Sequence, residues 1–359
     1  MTFQLELMSA IAFSMRSFNQ IAEQTLLHMH SCTTDCGEAV TTNPTSSYLD
    51  EIQYQQEMKS LFRDRPIPTI AATEIPNIND YVTKTICGVP IIIYRNSENQ
   101  IKVFLNVCRH RGAKLTTQIK SDNCKTFTCP FHGWKYPEGK NLTELKSYEF
   151  VGMIWVLLNP QSDFSMPESL SLFADDLNTL SMAPRFGMPE TVFHKNFNWK
   201  IGVEAFLEVD HFPFAHAPHL ENIQYPGLSL ADQLRENFRI VVPLKKPEPQ
   251  EFILNWSQVM YFIFPSSFLL VYSDHVALLS LIPLSIDSTE FRYLPLVQSA
   301  ADLISDGIQK KVDFLKVILQ QDFAILEDIQ KGLTSGANTE MTFTRTEHVL
   351  NSFHQSIKR

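Results

Sequence analysis

Two short clusters of cysteine and histidine lie close together in the first half of this 359-residue chain: Cys108 with His110, and Cys129 with His132. Two thiolates and two imidazoles can bind zinc, but zinc fingers pair cysteine with cysteine and histidine with histidine. Here each cluster supplies one residue of each kind. A [2Fe–2S] centre with two thiolates on one iron and two imidazoles on the other suits two opposed loops of this composition. The pattern therefore favours an iron–sulfur centre over zinc.

A second group of metal-ligand residues lies in the second half of the chain. In a regular helix Glu204, Glu208 and His211 would share one face, whereas His216 would lie about 140° away from it. Pro213 must distort or end such a helix. The distortion can bring His216 back beside His211, and two histidines on one apolar, kinked segment suit Fe(II).

A two-histidine iron site needs a carboxylate to complete a facial triad. A long helix is predicted from about Ala300 to Gly332, and Asp322 lies in the middle of its apolar stripe. A lone carboxylate there is costly unless it is paired or bound to metal. Asp322 is therefore the predicted third ligand. The apolar neighbours on the stripe are Leu315, Ile318, Leu319, Ile325, Leu326 and Ile329.

The elements that must position these residues change character along the chain. Short strands with a hairpin turn at Asn96–Asn99 dominate residues 67–160, and strands from Phe238 to Leu296 precede the long helix. This pattern predicts an α+β fold with an antiparallel sheet and segregated helices. The predicted organisation is an N-terminal extension at residues 1–45, a cluster domain with a leading helix at 46–160, a mononuclear-iron domain at 161–340 and a C-terminal tail at 341–359.

The N-terminal extension is predicted to contain a helix from Leu5 to about Met29 and a Thr/Ser/Asn/Pro-rich linker at Thr41–Ser47. Four metal-ligand residue types lie between them: His28, His30, Cys32 and Cys36. Their spacing allows a metal site, but a flexible segment with incidental polar residues is the favoured interpretation.

Composition excludes several classes of function. A net charge of −9 argues against general nucleic-acid binding. Six cysteines are too few for a disulfide scaffold. No apolar run approaches the roughly 20 residues of a membrane span. The N-terminus lacks a basic region and carries Glu6, so it does not resemble a secretory signal. We expect a cytoplasmic protein.

The two constellations together resemble the catalytic (α) subunits of Rieske non-heme iron oxygenases. The first resemblance lies in Cys108-Arg109-His110-Arg111-Gly112 and Cys129-Pro130-Phe131-His132-Gly133-Trp134. The second lies in Asn198-Trp199-Lys200, an acidic residue three before the first histidine, His-x₄-His, and Gln320-Gln321-Asp322. The resemblance covers roughly residues 45–335.

The resemblance implies a small all-β Rieske [2Fe–2S] domain and a helix-grip-like catalytic domain with an antiparallel sheet and a long C-terminal helix. It implies one Rieske cluster and one Fe(II) in each subunit. Glu208 occupies the position of the acidic bridge, which in the family joins a ligand histidine of the mononuclear iron, here His211, to a Rieske histidine of a neighbouring subunit, here His110 or His132. Asp210 is the rival bridge. A homotrimer, or an assembly with a β subunit, is implied.

The expected activity is oxygenation of a mainly apolar small organic molecule with O₂ and electrons from a ferredoxin, an NAD(P)H-dependent reductase or both. The expected outcomes are hydroxylation, dihydroxylation, demethylation or oxidative ring closure. The alternative is a non-catalytic Rieske electron carrier or a zinc-stabilised binding protein. Arg109, Arg111 and Lys114 form either an ordinary solvated rim or a docking patch for an acidic partner. No Arg or Lys is predicted inside the apolar segments of the second half, which argues against a carboxylate-clamping pocket.

Overall fold

The computed structural model describes residues 15–121, 123–180, 186–217, 219–225, 227–245 and 252–358. Its helices are α1 (Phe18–Ser31), α2 (Ser46–Leu49), α3 (Glu51–Ser60), α4 (Met166–Leu170), α5 (Ala174–Thr179), α6 (Trp199–Leu207), α7 (Phe212–Ala215), α8 (Asp306–Thr334) and α9 (His348–Ile357). Its strands are β1 (Thr41–Pro44), β2 (Ile67–Ala71), β3 (Tyr81–Ile86), β4 (Val89–Arg95), β5 (Ile101–Leu105), β6 (Lys120–Ser121), β7 (Thr126–Thr128), β8 (Lys135–Pro137), β9 (Glu144–Leu145), β10 (Ser147–Phe150), β11 (Met153–Val156), β12 (Phe186–Gly187), β13 (Thr191–Lys195), β14 (Leu230–Leu234), β15 (Asn237–Pro243), β16 (Ser257–Ile263), β17 (Ser267–Val271), β18 (His275–Ser285), β19 (Ser288–Val297) and β20 (Glu340–Phe343).

The two cysteine–histidine clusters, Cys108 with His110 and Cys129 with His132, belong to an all-β region. An antiparallel sheet runs in the order β6-β3-β4-β5-β9, and β7 and β8 form a separate hairpin beside it. The predicted turn between β4 and β5 is confirmed, because Asn99 has φ 62° and its N–H donates to the carbonyl of Asn96 at 3.0 Å. Tyr81, Tyr94 and Phe127 form a small aromatic core that also includes the two cysteines.

The second half is built on one large antiparallel sheet in the order β12-β19-β18-β17-β16-β15-β14, with β13 also paired to β19. Alternate residues of a strand face opposite sides of the sheet. On β16, Phe262 therefore belongs to the core beneath the long helix α8, whereas Tyr261 belongs to a separate core on the other face. The predicted α+β class with an antiparallel sheet and a long C-terminal helix is confirmed.

The N-terminal segment corrects two expectations. The first part of the predicted helix, residues 5–14, lies outside the described residues, and α1 begins only after Ser17, whose side chain caps it. The run predicted as a linker forms strand β1, which pairs with β20, and the start of helix α2. The expectation of a flexible segment around His28 is wrong, because His28 is buried and hydrogen-bonded to Thr33 at 2.8 Å and to Asp35 at 3.1 Å. Long-range pairing through Arg16 and Asp232 at 2.7 Å explains the order.

The residues predicted as a C-terminal tail also pack closely. Helix α9 buries Phe353, and Nε2 of His354 lies 2.7 Å from the carboxylate of Glu204 in α6. The hydroxyl of Tyr48 donates to the same carboxylate oxygen at 2.7 Å. Helices α2 and α9, which are far apart in sequence, thus meet at the Glu204 carboxylate of α6.

A buried ion pair fixes the start of α6. Nζ of Lys200 lies 2.6 Å from both carboxylate oxygens of Glu57 in α3, and Nε1 of Trp199 donates to the same group at 3.1 Å. Burial lowers the pKa of Lys200, and the charge of Glu57 opposes that effect. The pair thus connects the leading helix to the helix that precedes His211.

Lys200→Met is expected to lower the free energy of unfolding by about 3–5 kcal/mol, because it leaves the Glu57 carboxylate buried without its cation. Denaturant unfolding measures the change. The double variant Glu57→Leu/Lys200→Met should recover part of the loss. Lys331→Met removes an exposed pair with Asp328 on α8 and should leave the unfolding midpoint unchanged. Equal effects of the two lysine substitutions would contradict the assignment.

No helix among the described residues is long and apolar enough to cross a lipid bilayer.

Candidate metal centres

The two cluster loops share one backbone design. The N–H of Gly112 donates to the carbonyl of Cys108 at 2.9 Å, and the N–H of Gly133 donates to that of Cys129 at 3.0 Å. Both glycines have positive φ, 77° and 70°, where a side chain would be strained. Each loop thus turns back on its own cysteine, as expected of tight loops around an iron–sulfur centre.

The four ligand-type side chains present a buried and an exposed end. Cys108 and Cys129 are each 2% exposed, whereas His110 and His132 lie at the surface with ring centroids 4.8 Å apart. Trp134 stacks on His110 at 4.7 Å between centroids, with its own ring still half exposed. The arrangement fits a cluster with its sulfur-ligated iron inside and its histidine-ligated iron at the surface.

Tyr136 contacts the buried end, and sequence reasoning missed it. Its hydroxyl accepts the N–H of Arg109 at 3.0 Å and lies 3.2 Å from Sγ of Cys108. Because the backbone N–H must donate, the hydroxyl proton is left for the sulfur. This hydrogen bond is the main cause of a lowered pKa of the Cys108 thiol.

Tyr136→Phe is expected to lower the reduction potential of the cluster, because hydrogen bonds to the sulfur ligands stabilise the added electron. A redox titration followed by circular dichroism measures the potential. Tyr81→Phe is the matched control, since that hydroxyl contacts Thr116 and Gln118 instead of a cysteine. An unchanged potential in Tyr136→Phe with an intact cluster spectrum would contradict the role given to this hydroxyl.

The second group of metal-ligand residues is positioned by a break between two helices instead of by one continuous helix. Helix α6 ends at Leu207, and Glu208 is extended with φ −135° and ψ 168°. A new short helix, α7, begins after His211 with Pro213 in its first turn. The expected shared helical face of Glu204, Glu208 and His211 is therefore wrong. The predicted effect of Pro213 is seen as a separate helical turn that returns His216 towards His211.

His211, His216 and Asp322 converge, with one ligand atom from each lying within 4.8 Å of the others. Oδ1 of Asp322 is 3.0 Å from Nε2 of His216 and 3.6 Å from Nε2 of His211. The shorter pair lacks hydrogen-bond geometry, so His216 Nε2 is a buried nitrogen without a hydrogen-bond partner. Two imidazoles and one carboxylate converging around such an atom fit a 2-His-1-carboxylate iron site.

The other ring nitrogens are held by protein groups. Nδ1 of His211 contacts Oε1 of Glu208, and Nδ1 of His216 lies 3.0 Å from Oε1 of Gln321. Such partners orient ligand histidines and leave Nε2 free for metal. Gln321 was not predicted, although its place beside Asp322 in the sequence was a signal. Burial opposes protonation of His211, but Glu208 and the nearby carboxylates raise its pKa overall.

The two candidates for the acidic bridge differ in their contacts. Glu208 meets the ring of His211 and also accepts the N–H of His211 at 3.3 Å. The carboxylate of Asp210 instead accepts the hydroxyl of Thr346. The side chain of Glu208 is the one that contacts the ligand-type histidine.

A cavity of about 490 Å³ opens onto His211, His216 and Asp322. Phe206 and Phe212 line this cavity. Phe262, Phe264 and Phe268 are core residues, and Phe214 is 87% exposed. A second cavity of about 180 Å³ is lined by Glu208, and His211 lines both cavities. No described residue of the two cluster loops lines either cavity.

The predicted basic rim is exposed around the first loop. Arg109, Arg111 and Lys114 all lie at the surface, and the guanidinium of Arg111 lies 5.4 Å from the centre of the Phe131 ring. Phe131 is 57% exposed beside His132. Apolar and basic groups therefore surround the exposed histidine end of the candidate cluster.

Two family models match the chain. The Rieske [2Fe-2S] domain matches residues 66–148, and the ring hydroxylating alpha subunit (catalytic domain) matches residues 241–359. The carnitine monooxygenase oxygenase subunit of Acinetobacter pittii (strain PHEA-2) is 23% identical over 82% of this chain and 85% of its own length. The biphenyl 2,3-dioxygenase subunit alpha of Rhodococcus jostii (strain RHA1) is 37% identical over 27% of this chain and 21% of its own.

Solved structures share the fold. A quaternary ammonium Rieske monooxygenase superposes with a TM-score of 0.76 at 18% identity, covering 88% of this chain and 94% of that one. Naphthalene 1,2-dioxygenase from Rhodococcus sp. superposes with a TM-score of 0.73 at 16% identity, covering 94% and 97%.

These findings define an oxidoreductase that joins a Rieske electron-transfer domain to an oxygenase catalytic domain. The chain belongs to the family of Rieske non-heme iron oxygenase α subunits, which includes monooxygenases and dioxygenases. Membership implies a Rieske [2Fe–2S] cluster and a mononuclear iron in each subunit. It also implies a reductase or ferredoxin as partner, O₂ and a small-molecule substrate.

Proposed function

We propose that Cys108, Cys129, His110 and His132 hold the Rieske cluster, and that His211, His216 and Asp322 hold the mononuclear iron. The single observation that carries the second assignment is the convergence of these three side chains at the cavity, with Nε2 of His216 buried and unpartnered. When bound, the cluster supplies single electrons and the iron supplies a site for O₂ activation.

The chain's own residues orient and protect this chemistry. Glu208 and Gln321 hold Nδ1 of the two histidines, so both rings present Nε2 to Asp322. Phe206 and Phe212 line the cavity and exclude water from the reacting region. The site therefore favours oxygenation of a mainly apolar molecule over side reactions with solvent.

The electron route is proposed to run between subunits. Glu208 contacts His211 directly, and its carboxylate also borders the second cavity. The cluster histidines of the same chain are exposed and line neither cavity, which supports a neighbouring subunit as the source of the electron. Glu208 would then join His211 to His110 or His132 of that subunit in a homotrimer, with or without a β subunit.

Electrons are proposed to arrive from a ferredoxin, an NAD(P)H-dependent reductase or both, in the cytoplasm. The exposed Arg109, Arg111 and Lys114 beside Phe131 offer an encounter surface for an acidic partner. The reaction is proposed as hydroxylation, with dihydroxylation, demethylation or ring closure as variants on the same site.

Oxygen uptake by the reductase-coupled holoprotein tests the proposal. Uptake should rise above the reductase background only with members of a panel of apolar small molecules, and a product should carry oxygen from ¹⁸O₂. A protein with a reducible cluster, an empty second site and no substrate-dependent uptake would instead be an electron carrier. Zinc in place of iron at the first site would contradict the proposal entirely.

A further inference from the structure

A line of three polar side chains crosses one wall of the mainly apolar cavity. Gln258 lies at the start of β16, and Tyr272 follows the end of β17. Since Val259 pairs with Val271, Gln258 and Tyr272 face each other one residue beyond that pair. Both line the cavity together with Gln224. The strand register therefore places these three groups on one surface.

The hydrogen bonds along this line run in one direction. Nε2 of Gln224 donates to Oε1 of Gln258 at 3.4 Å, and Nε2 of Gln258 donates to the hydroxyl of Tyr272 at 3.0 Å. The Tyr272 oxygen is thus an acceptor, and its proton has no acceptor among the hydrogen bonds of the described residues. A phenol used this way ends the line with a free O–H donor.

The hydroxyl of Tyr272 is held in place and held protonated. Its ring stacks on His275 with centroids 4.5 Å apart and planes 5° apart. Burial raises the pKa of Tyr272 to about 12. The group therefore remains a neutral donor at ordinary pH.

The cavity wall offers no free charge among its described residues. Lys311 lines the cavity, but its Nζ is paired with Asp274, which also contacts Nδ1 of His275 at 2.8 Å. Apart from the neutral Tyr272, the other ionisable lining residues are the three proposed iron ligands. A charged substrate would lose its hydration here without gaining a partner ion.

We propose that this enzyme binds a neutral, mainly apolar substrate that carries a hydrogen-bond acceptor, such as a carbonyl oxygen, which accepts a hydrogen bond from the Tyr272 hydroxyl. The proposal rests on the proposed function and names its substrate class. It sets the chain apart from relatives whose names specify quaternary ammonium compounds, because a fixed positive charge has no counter-ion on this wall. Tyr272 is a specificity-determining residue, with Gln258 as the residue that orients it.

Matched probes test this recognition. Dissociation constants of 1-indanone, indane, 1-indanecarboxylate and trimethyl(indan-1-yl)ammonium are measured by calorimetry with the holoprotein under anaerobic conditions, which prevents turnover. In Tyr272→Phe the affinity ratio of ketone to hydrocarbon should fall about fivefold or more, with the affinity for indane unchanged. The hydration of each free probe is the same in both experiments. The difference in hydration between the two probes therefore cancels when the ratio for the variant is compared with the ratio for the wild type.

Two further variants sharpen the result. Gln258→Leu keeps the Tyr272 hydroxyl but frees its orientation, so the ratio should fall by a smaller factor. Tyr261→Phe is the control. Tyr261 lies on the same strand as Gln258, but its hydroxyl contacts Asp176 on the other face of the sheet. The affinity ratio of this variant should therefore match that of the wild type. An unchanged ratio in Tyr272→Phe, or a charged probe binding the wild type more tightly than 1-indanone, overturns the proposal.

Iron is measured on the same samples. If the wild-type protein binds no mononuclear iron but the affinity ratio still depends on Tyr272, the proposed function is contradicted and the proposed recognition stands. A normal iron content with a ratio independent of Tyr272 would do the reverse.

Discussion

Asp322→Ala is expected to remove the mononuclear iron and abolish substrate-dependent oxygen uptake while the Rieske cluster stays intact. Asp322 supplies the only proposed carboxylate ligand, and the two histidine Nε2 atoms alone leave the site short of a facial triad. Metal analysis should show iron falling from about three to about two atoms per chain. The electron paramagnetic resonance signal of the reduced cluster should keep its full intensity.

Two controls separate ligand loss from general damage. Asp328→Ala removes an exposed carboxylate on the same helix and should retain all of the iron. Asp322→Asn preserves the side-chain volume beside His216 and should still bind iron weakly, because the ligand charge is lost. Full iron and full turnover in Asp322→Ala would show that another group is the third ligand.

Glu208→Gln is expected to keep both metal centres yet slow electron transfer between them by about 10²-fold. A glutamine can still accept a hydrogen bond from Nδ1 of His211, so the ligand geometry should survive. The negative charge that supports this histidine and joins it to the neighbouring cluster is lost, and partners of this kind commonly contribute 10–100-fold. Stopped-flow reoxidation of the pre-reduced cluster, with O₂ and substrate, measures the rate.

Asp210→Asn is the matched control for the bridge. Its carboxylate accepts from Thr346 instead of contacting the His211 ring, so its electron-transfer rate should stay within a few-fold of wild type. The opposite result, a slow Asp210→Asn and a normal Glu208→Gln, would make Asp210 the bridge.

The candidate ligands could be predicted from the sequence because such candidates are recognised by residue type and spacing. Alternating cysteine and histidine in two clusters predicted the first loops, and a carboxylate within an apolar helical stripe predicted the position of Asp322. The structure buries Asp322 between Leu319 and Leu326, with Ile325 at the exposed edge of the stripe. Helical periodicity is local and persists over many turns of α8, so it predicts well.

The supporting contacts were not accessible because they depend on tertiary packing. Tyr136 reaches Cys108 from the β7–β8 hairpin, and Gln321 reaches His216 from another helix. The end of α6 at Leu207 was also missed. The carboxylate of Glu208 accepts the backbone N–H groups of Asp210 and His211, and these hydrogen bonds replace the helical ones beyond Leu207.

The prediction for the N-terminal segment was wrong for the same reason. A run rich in Thr, Ser, Asn and Pro is typical of a linker, yet β1 is ordered by pairing with β20 from the far end of the chain. Arg16 is ordered by Asp35 and Asp232. Strand β20 and Asp232 both lie far along the chain, so composition alone predicted flexibility.

A Mössbauer spectrum of the ⁵⁷Fe-reconstituted protein tests the central claim most directly, because it counts iron environments whatever the substrate is. With the cluster reduced and the second site loaded, the assignment predicts three environments of equal area: iron bound by Cys108 and Cys129, iron bound by His110 and His132, and high-spin Fe(II) bound by nitrogen and oxygen. Asp322→Ala should lose only the third. A wild-type spectrum with the two cluster environments alone, or with no cluster iron at all, would contradict the two-centre account.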